Sequence, residues 1–191
     1  MKKYFSFILL FCLISVFAAT AQSGFRATDI RVTVSGTSTL HDWEMETNDA
    51  ESQVQFKLNE EGHPEHMESV TLRLNKTTLK SDKSGLDRRA YEALNARRHP
   101  EIIFTTNGSS NLTKNGDKYN INTTGDLTIA GVTRKVNVDA VCVNGDDNLL
   151  ICSGNSELKM SDFNIDPPVM FLGTLRTGDE IKIEYRIVYD R

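Results

Sequence analysis

The side chains with the most chemistry in this chain stand together at His41-Asp42-Trp43. An imidazole beside a carboxylate can orient a polar head group or move a proton, and the single tryptophan can cap an apolar opening. The plainer alternative is a strand-entry turn in which Asp42 accepts from backbone amides and Trp43 is core; no motif around them fixes a catalytic geometry. His63-Pro64-Glu65-His66 offers two imidazoles near Glu61 and Glu68. That spacing ligates metals on a helix, but Gly62 and Pro64 place it in a loop, so no metal site is assigned. Arg88, Arg89, Arg97 and Arg98, with Arg134-Lys135 further on, carry donors suited to a diphosphate, or simply solvated surface charge. The chain has no Gly-x-Ser-x-Gly elbow, no phosphate-cradling glycine loop and no zinc-spaced Cys/His set. Nothing marks two carboxylates as an acid/base couple, and no cofactor is implied.

The elements that position these groups alternate with period two, as strands with one buried face do. Val54, Phe56 and Leu58 alternate with Gln53, Gln55 and Lys57; Val70, Leu72 and Leu74 with Thr71 and Arg73. Tyr119, Ile121, Thr123, Leu127 and Ile129 share one parity. Val136, Val138, Ala140 and Cys142 repeat the pattern, and so do Ile181, Ile183, Tyr185, Ile187 and Tyr189. With Ile30–Ser35, Trp43–Thr47, Ile102–Thr106 and Leu149–Met160 the reading gives about eight or nine strands. Turn residues at Asn59–Pro64, Asn115–Asp117, Ala130–Thr133 and Asn144–Asn148 link neighbours too closely for parallel pairing. One segment breaks the rhythm. Leu86, Ala90, Tyr91 and Leu94 fit a short helix with Arg88, Arg89 and Glu92 toward water, and His99-Pro100 bars its continuation. Strands of this length favour a closed antiparallel barrel over a sandwich.

Met1 to Ala21 has the form of a secretory signal: Lys2 and Lys3, an apolar run from Tyr4 to Ala18, then Ala19-Thr20-Ala21. Cys12 lies inside that apolar run and leaves with it. The remaining chain, residues 22–191, reads as one domain of 170 residues with 20 basic against 26 acidic residues, a net charge of −6. An acidic surface argues against a nucleic-acid partner. No later apolar run approaches the ~20 residues that a bilayer-spanning helix needs. Sequons at Asn75, Asn107, Asn111 and Asn122 fit chance in a chain rich in Asn and Thr. The expected location is periplasmic or secreted.

Cys142 and Cys152 lie on consecutive strands around Asn144–Asn148. If they face each other, Val143 faces Ile151, Asn144 faces Leu150, and a short loop lies beyond Gly145–Leu149. A cross-strand disulfide is expected in an exported chain; a register slipped by two would separate the sulfurs.

Three stretches resemble the YceI-like family of exported, lipocalin-like isoprenoid-binding barrels. The first is Gly85 through Leu94 leading to His99-Pro100-Glu101-Ile102-Ile103-Phe104, similar to the family's helix and x-Pro-x-Ile-x-Phe strand entry. The second is Gly125-Asp126-Leu127-Thr128-Ile129-Ala130-Gly131-Val132-Thr133-Arg134-Lys135-Val136, close to its Gly-x-Leu-Thr-Ile-x-Gly-Val-Thr-Lys-x-Val hairpin. The third runs from Met160-Ser161-Asp162-Phe163-Asn164-Ile165 to Gly173 through Ile181, like its closing loop and last strand. Where many members have a longer N-terminal strand pair, this chain has Gly36 through Trp43 with its Leu40-His41-Asp42-Trp43 variant. The resemblance implies an eight-stranded antiparallel lipocalin-like barrel with one short inserted helix, non-catalytic, holding an isoprenoid-tailed or similar long-chain lipid. Lumen candidates are then Phe56, Leu72, Ile121, Val138, Ala140 and Ile183; head-group candidates are His41, Trp43, Arg88 and Arg89. Alternation alone also allows a barrel filled by its own side chains and serving as an interaction module, or an enzyme working at the mouth through His41 and Asp42.

Overall fold

The computed structural model describes residues 22–108, 110–146, 149–170 and 173–190; the signal-like segment and Cys12 lie outside them. Alternating side chains become alternating burial. Along β7 (Lys118–Ile129) the odd-numbered residues are buried, while the even-numbered ones are exposed or half-buried. The inward rows form a main core, with Phe25 edge-on to Phe56 at 5.7 Å between ring centres, and a second cluster of Leu127, Ile129, Met160, Phe163 and Ile165 at the helix end.

Chain order is β1 (Gln22–Ser38), β2 (Trp43–Thr47), β3 (Ala50–Leu58), β4 (Pro64–Asn75), a 3-10 turn at Lys76–Thr78, and α1 (Ser84–Ala93). There follow β5 (Glu101–Asn107), β6 (Ser110–Asn115), β7, β8 (Val132–Asn144), β9 (Leu150–Lys159), a 3-10 turn at Met160–Phe163, β10 (Val169–Met170) and β11 (Leu175–Asp190). Eight strands close a ring in the order β1-β3-β4-β5-β7-β8-β9-β11, with β11 returning to β1 from Arg26 opposite Asp190 to Ser38 opposite Thr177. Every pairing is antiparallel, as the short connections require. The fold is the closed eight-stranded antiparallel barrel with one helix that the alternation and the resemblance imply.

The strand inventory needs correction. Among the described residues eleven strands are present: β6 and β10 attach to the ring without belonging to it, and β2 is set apart from β3. The N-terminal pair is long: β1 has 17 residues instead of the six read as Ile30–Ser35. Gly36 faces Trp43, Val32 faces Thr47 and Arg26 faces Gln53, one continuous register, so β2 and β3 are a single strand broken at Asn48-Asp49. Gly36 through Trp43 is therefore the tip of a long hairpin, not a replacement for one. The His63–His66 stretch is also not wholly loop, since β4 begins at a buried Pro64 and carries Glu65 and His66.

The barrel has two unlike ends. One collects α1, the loop 39–42, the β7–β8 turn and residues 160–170 and 173–174; the other collects the β3–β4 and β6–β7 turns and the ends of β8 and β9 that Asn144 and Leu150 mark.

Candidate ligand-binding cavity

Inward rows of Val, Leu, Ile, Met and Phe from all eight ring strands leave a continuous cavity of about 270 Å³. That is just below the range of small-molecule pockets, about 300–1,000 Å³. Met45, Met67 and Met160 line it; their unbranched thioethers can change rotamer and lengthen the space at small cost. The six lumen candidates, Phe56, Leu72, Ile121, Val138, Ala140 and Ile183, all lie on its wall. They come from β3, β4, β7, β8 and β11, so the parity read along each strand is brought to one surface.

Several polar groups on or beside the wall have partners of their own. Ser52 donates to the Thr71 carbonyl at 3.1 Å and shares a hydrogen bond with the Tyr189 hydroxyl at 2.8 Å. Thr106 donates to the Thr124 carbonyl at 2.8 Å and lies 3.3 Å from the Thr123 hydroxyl. Tyr185 crosses from β11 to β8 and donates to the Asp139 carbonyl at 2.9 Å. It can do so because Gly154 of β9 lies beneath it; a Cβ there would collide with the phenol and with the Asp139 carbonyl. Burial raises both phenols above their ordinary pKa, Tyr189 to about 12. The wall is accordingly apolar and offers no charged group in its interior.

The helix end is where charge approaches the cavity. Leu86, Arg89, Ala90, Ala93 and Leu94 all line it. Leu86, Ala90, Tyr91 and Leu94 are partly buried, and Arg88 and Glu92 point to water. Arg89 corrects the expectation: it is half-buried on the cavity side, because positions 86, 89, 90 and 93 share one helical face. Trp43 also lines the opening, its indole over Gly36 and its Nε1–H donating to the Thr37 carbonyl at 3.2 Å.

His41 and Arg88 do not reach the cavity wall. His41 Nδ1 meets the backbone carbonyl of Asp42 at 3.1 Å, and Nε2 lies 3.2 Å from Lys83 Nζ. The imidazole thus meets the backbone of Asp42 and not its carboxylate. His63 lies 3.8 Å from Glu61, and no cluster of three potential metal ligands occurs among the described residues. Lys135 sits on the outer face of β8, paired with Asp126 at 2.8 Å; Arg134 has the inward parity of Val136 but is exposed near the start of the strand, its guanidinium donating to the Thr133 carbonyl at 3.2 Å. Cys142 and Cys152 are joined by a disulfide across β8 and β9, with Val143 opposite Ile151 and Asn144 opposite Leu150. Both sulfur-bearing residues line the cavity near its far end.

Two charged residues that hold the helix in place escaped the sequence reading. Lys76 is fully buried, and its ammonium donates to the Leu94 carbonyl at 3.0 Å and the His99 carbonyl at 2.7 Å. The first of these is a helix C-terminus, where a cation meets the negative end of the dipole. Its signal was legible in principle, since Lys76 continues the inward parity of Leu72 and Leu74. Buried Asp87 accepts from the Ser81 amide at 2.8 Å and its hydroxyl at 2.7 Å. Tyr91 donates to the Leu79 carbonyl at 2.5 Å. At the neighbouring rim, Asp179 accepts from the Ser161 hydroxyl and amide, which hold its carboxyl below the usual carboxylate range.

Known proteins share this arrangement. The barrel of BcnA from Burkholderia cenocepacia superposes with a TM-score of 0.63 at 19% identity, covering 83% of this chain and 95% of that one. A polyisoprenoid binding domain from Saccharophagus degradans superposes at 0.66 with 9% identity, covering 89% and 99%. In sequence, a UPF0312 protein of Pectobacterium atrosepticum is 33% identical over 119 residues, 58% of this chain and 57% of that protein. Protein YceI of Escherichia coli O157:H7 is 31% identical over 105 residues, 51% and 52% of the two chains. The matched stretch thus spans only a little over half the length of these relatives. The model of the YceI-like domain matches residues 18–189, nearly all of the barrel, and the chain belongs to the YceI-like domain family.

Proposed function

We propose that this protein is an exported, non-catalytic binding protein that holds a lipid with an isoprenoid or similarly long hydrocarbon tail in its barrel. The observation that carries the reading is the cavity: aliphatic on every side, without a charged interior group, and opening where Arg89 and Trp43 stand. Such a space rewards hydrocarbon alone, at about 0.8 kcal/mol for each methylene taken from water. Half-buried Arg89 supports an orientation with the polar end of the amphiphile at the helix end and the tail toward the disulfide. The polyisoprenoid binding domain among the structural relatives supports the same ligand class. Export rests on the basic, apolar and small-residue order of residues 1–21 and fits the disulfide, which persists in an oxidising compartment. A periplasmic or secreted location follows from that reading.

The test is direct. The protein purified from its exporting host is extracted with organic solvent and the extract examined by mass spectrometry. A long-chain lipid at a constant molar ratio to protein is the expected result. Protein that carries no lipid, and takes up none from a dispersed prenyl alcohol, would sink the proposal.

A further inference from the structure

Among the described residues, three large apolar side chains are exposed, and two of them, Leu40 at 69% and Val169 at 55%, belong to the helix end of the barrel. They flank the same stretch of β11. The Thr39 amide donates to the Arg176 carbonyl at 3.0 Å, and Val169 pairs with Arg176 from the other side. The contact of His41 with Lys83 ties this tip to the start of α1. The cavity opens between the same segments, for Trp43, Leu86, Pro168 and Thr177 line it.

Charge is distributed unevenly around this opening. The sequence is acidic overall, yet residues 83–98 carry five basic side chains, Lys83, Arg88, Arg89, Arg97 and Arg98, against Asp87 and Glu92. Asp87 is buried against Ser81, whereas Lys83, Arg88, Arg97 and Arg98 are exposed. Asp42, Asp82 and Asp166 lie on the adjoining loops, so the rim is basic on its helix side and mixed elsewhere. At the far end the turns carry Glu60, Glu61, Asp117 and Asp146, with exposed Lys114 and Lys118 flanking Asp117. Apolar tips and the exposed cations of the helix therefore stand beside the opening, whereas the lining residues at the other end, such as Phe56, Cys142 and Tyr189, are buried.

We propose that the helix-end rim, with Leu40 and Val169 as apolar tips and Lys83, Arg88 and Arg176 beside them, docks on an anionic lipid bilayer and sets the cavity mouth against it. This rests on the lipid-binding reading, because a tail passing straight from bilayer to barrel never exposes its hydrocarbon to water. Two isolated apolar side chains reach only into the head-group region, and each nearby cation adds about fivefold in partitioning to an anionic surface. The contact is consequently reversible and salt-sensitive, as a carrier that must leave again requires.

The experiment is co-sedimentation of the purified protein with vesicles of phosphatidylcholine, or of phosphatidylcholine with about one part in three phosphatidylglycerol. Binding to the anionic vesicles alone, weakened by salt, is expected. The Leu40→Asp/Val169→Asp pair should lose about tenfold, and Lys83→Glu/Arg88→Glu at least as much, with unfolding midpoints unchanged because all four side chains are exposed. Any N-terminal contribution is common to wild type and variants and cancels. Absence of binding to anionic vesicles, or undiminished binding in both double variants, overturns the docking surface. Uptake of farnesol added from solvent, without vesicles, is measured alongside. Unchanged uptake in the variants supports a role confined to docking, whereas failed uptake with vesicle binding intact overturns the cavity reading and leaves the docking surface standing.

Discussion

Lys76 and His99 are joined by a buried ammonium-to-carbonyl hydrogen bond of 2.7 Å, and through it the loop that follows α1 is held to the end of β4. Removing the amine leaves the His99 and Leu94 carbonyls without their donor, a loss of about 1–3 kcal/mol. Lys76→Met keeps most of the volume, so the barrel should survive with a lowered denaturant midpoint.

The same amine predicts a pH dependence. Burial lowers its pKa to about 8, so between pH 8 and 10.5 the unfolded chain binds a proton that the folded chain has lost. Stability should rise across that window. Tyr185 and Tyr189 act in the opposite sense: their folded pKa values are raised by burial, and the stability they contribute is lost as pH climbs above 10. Urea midpoints from pH 7 to 11 should pass through a maximum near pH 10. In Lys76→Met the rise should disappear and the fall remain; a rise that persists would remove Lys76 as its cause.

Ala140 is the place to test the cavity. It is partly buried on the wall, opposite Gly154, with the Tyr185 phenol nearby. Ala140→Phe should cut lipid recovered per mole of protein severalfold while costing about 1–3 kcal/mol in stability. Equal recovery from both proteins would show that the tail does not pass this level.

The disulfide closes a loop with a sequence separation of 10 residues. On a chain-entropy basis Cys142→Ala/Cys152→Ala should lower stability by about 2–3 kcal/mol. Thermal melts with and without reductant should separate for the wild type and coincide for the variant.

The β7–β8 turn offers a stabilising change. Ala130 has φ 53° and Gly131 φ 84°, the two left-handed positions of a tight hairpin. Alanine is strained there, and Ala130→Asn should add about 1 kcal/mol. Gly131→Ala should do the reverse, because a Cβ would strike the His99 ring as well as oppose the backbone. Opposite signs in the two unfolding midpoints are the check.

How far the sequence foretold this molecule depends on what each residue had to say locally. Strands β7, β8 and β11 were legible because one parity is apolar almost throughout. β6 was not: Ser110–Asn115 holds one apolar residue, Leu112, and the strand pairs outside the ring, where no inward row is needed. The unity of β2 and β3 was hidden because Asn48-Asp49 reads as a turn, although the register runs across it. The lumen residues could be named from parity. Arg89 was turned the wrong way because a helix lying over an opening has an edge as well as two faces. Lys76 was passed over because a lysine looks like surface charge until its parity is followed.

The pairing of β1 with β11 has a kinetic consequence. The first and last strands form the seam of the barrel, so contacts such as Ile30 with Ile187 join residues that are nearly the whole chain apart. Closing so large a loop makes the seam slow to form, and a chain emerging N-terminus first has no enclosed interior until β11 arrives. Cargo can be enclosed only after synthesis is complete, and a chain truncated before Leu175 would expose its apolar rows on an open sheet edge, as an aggregating species rather than a weaker binder.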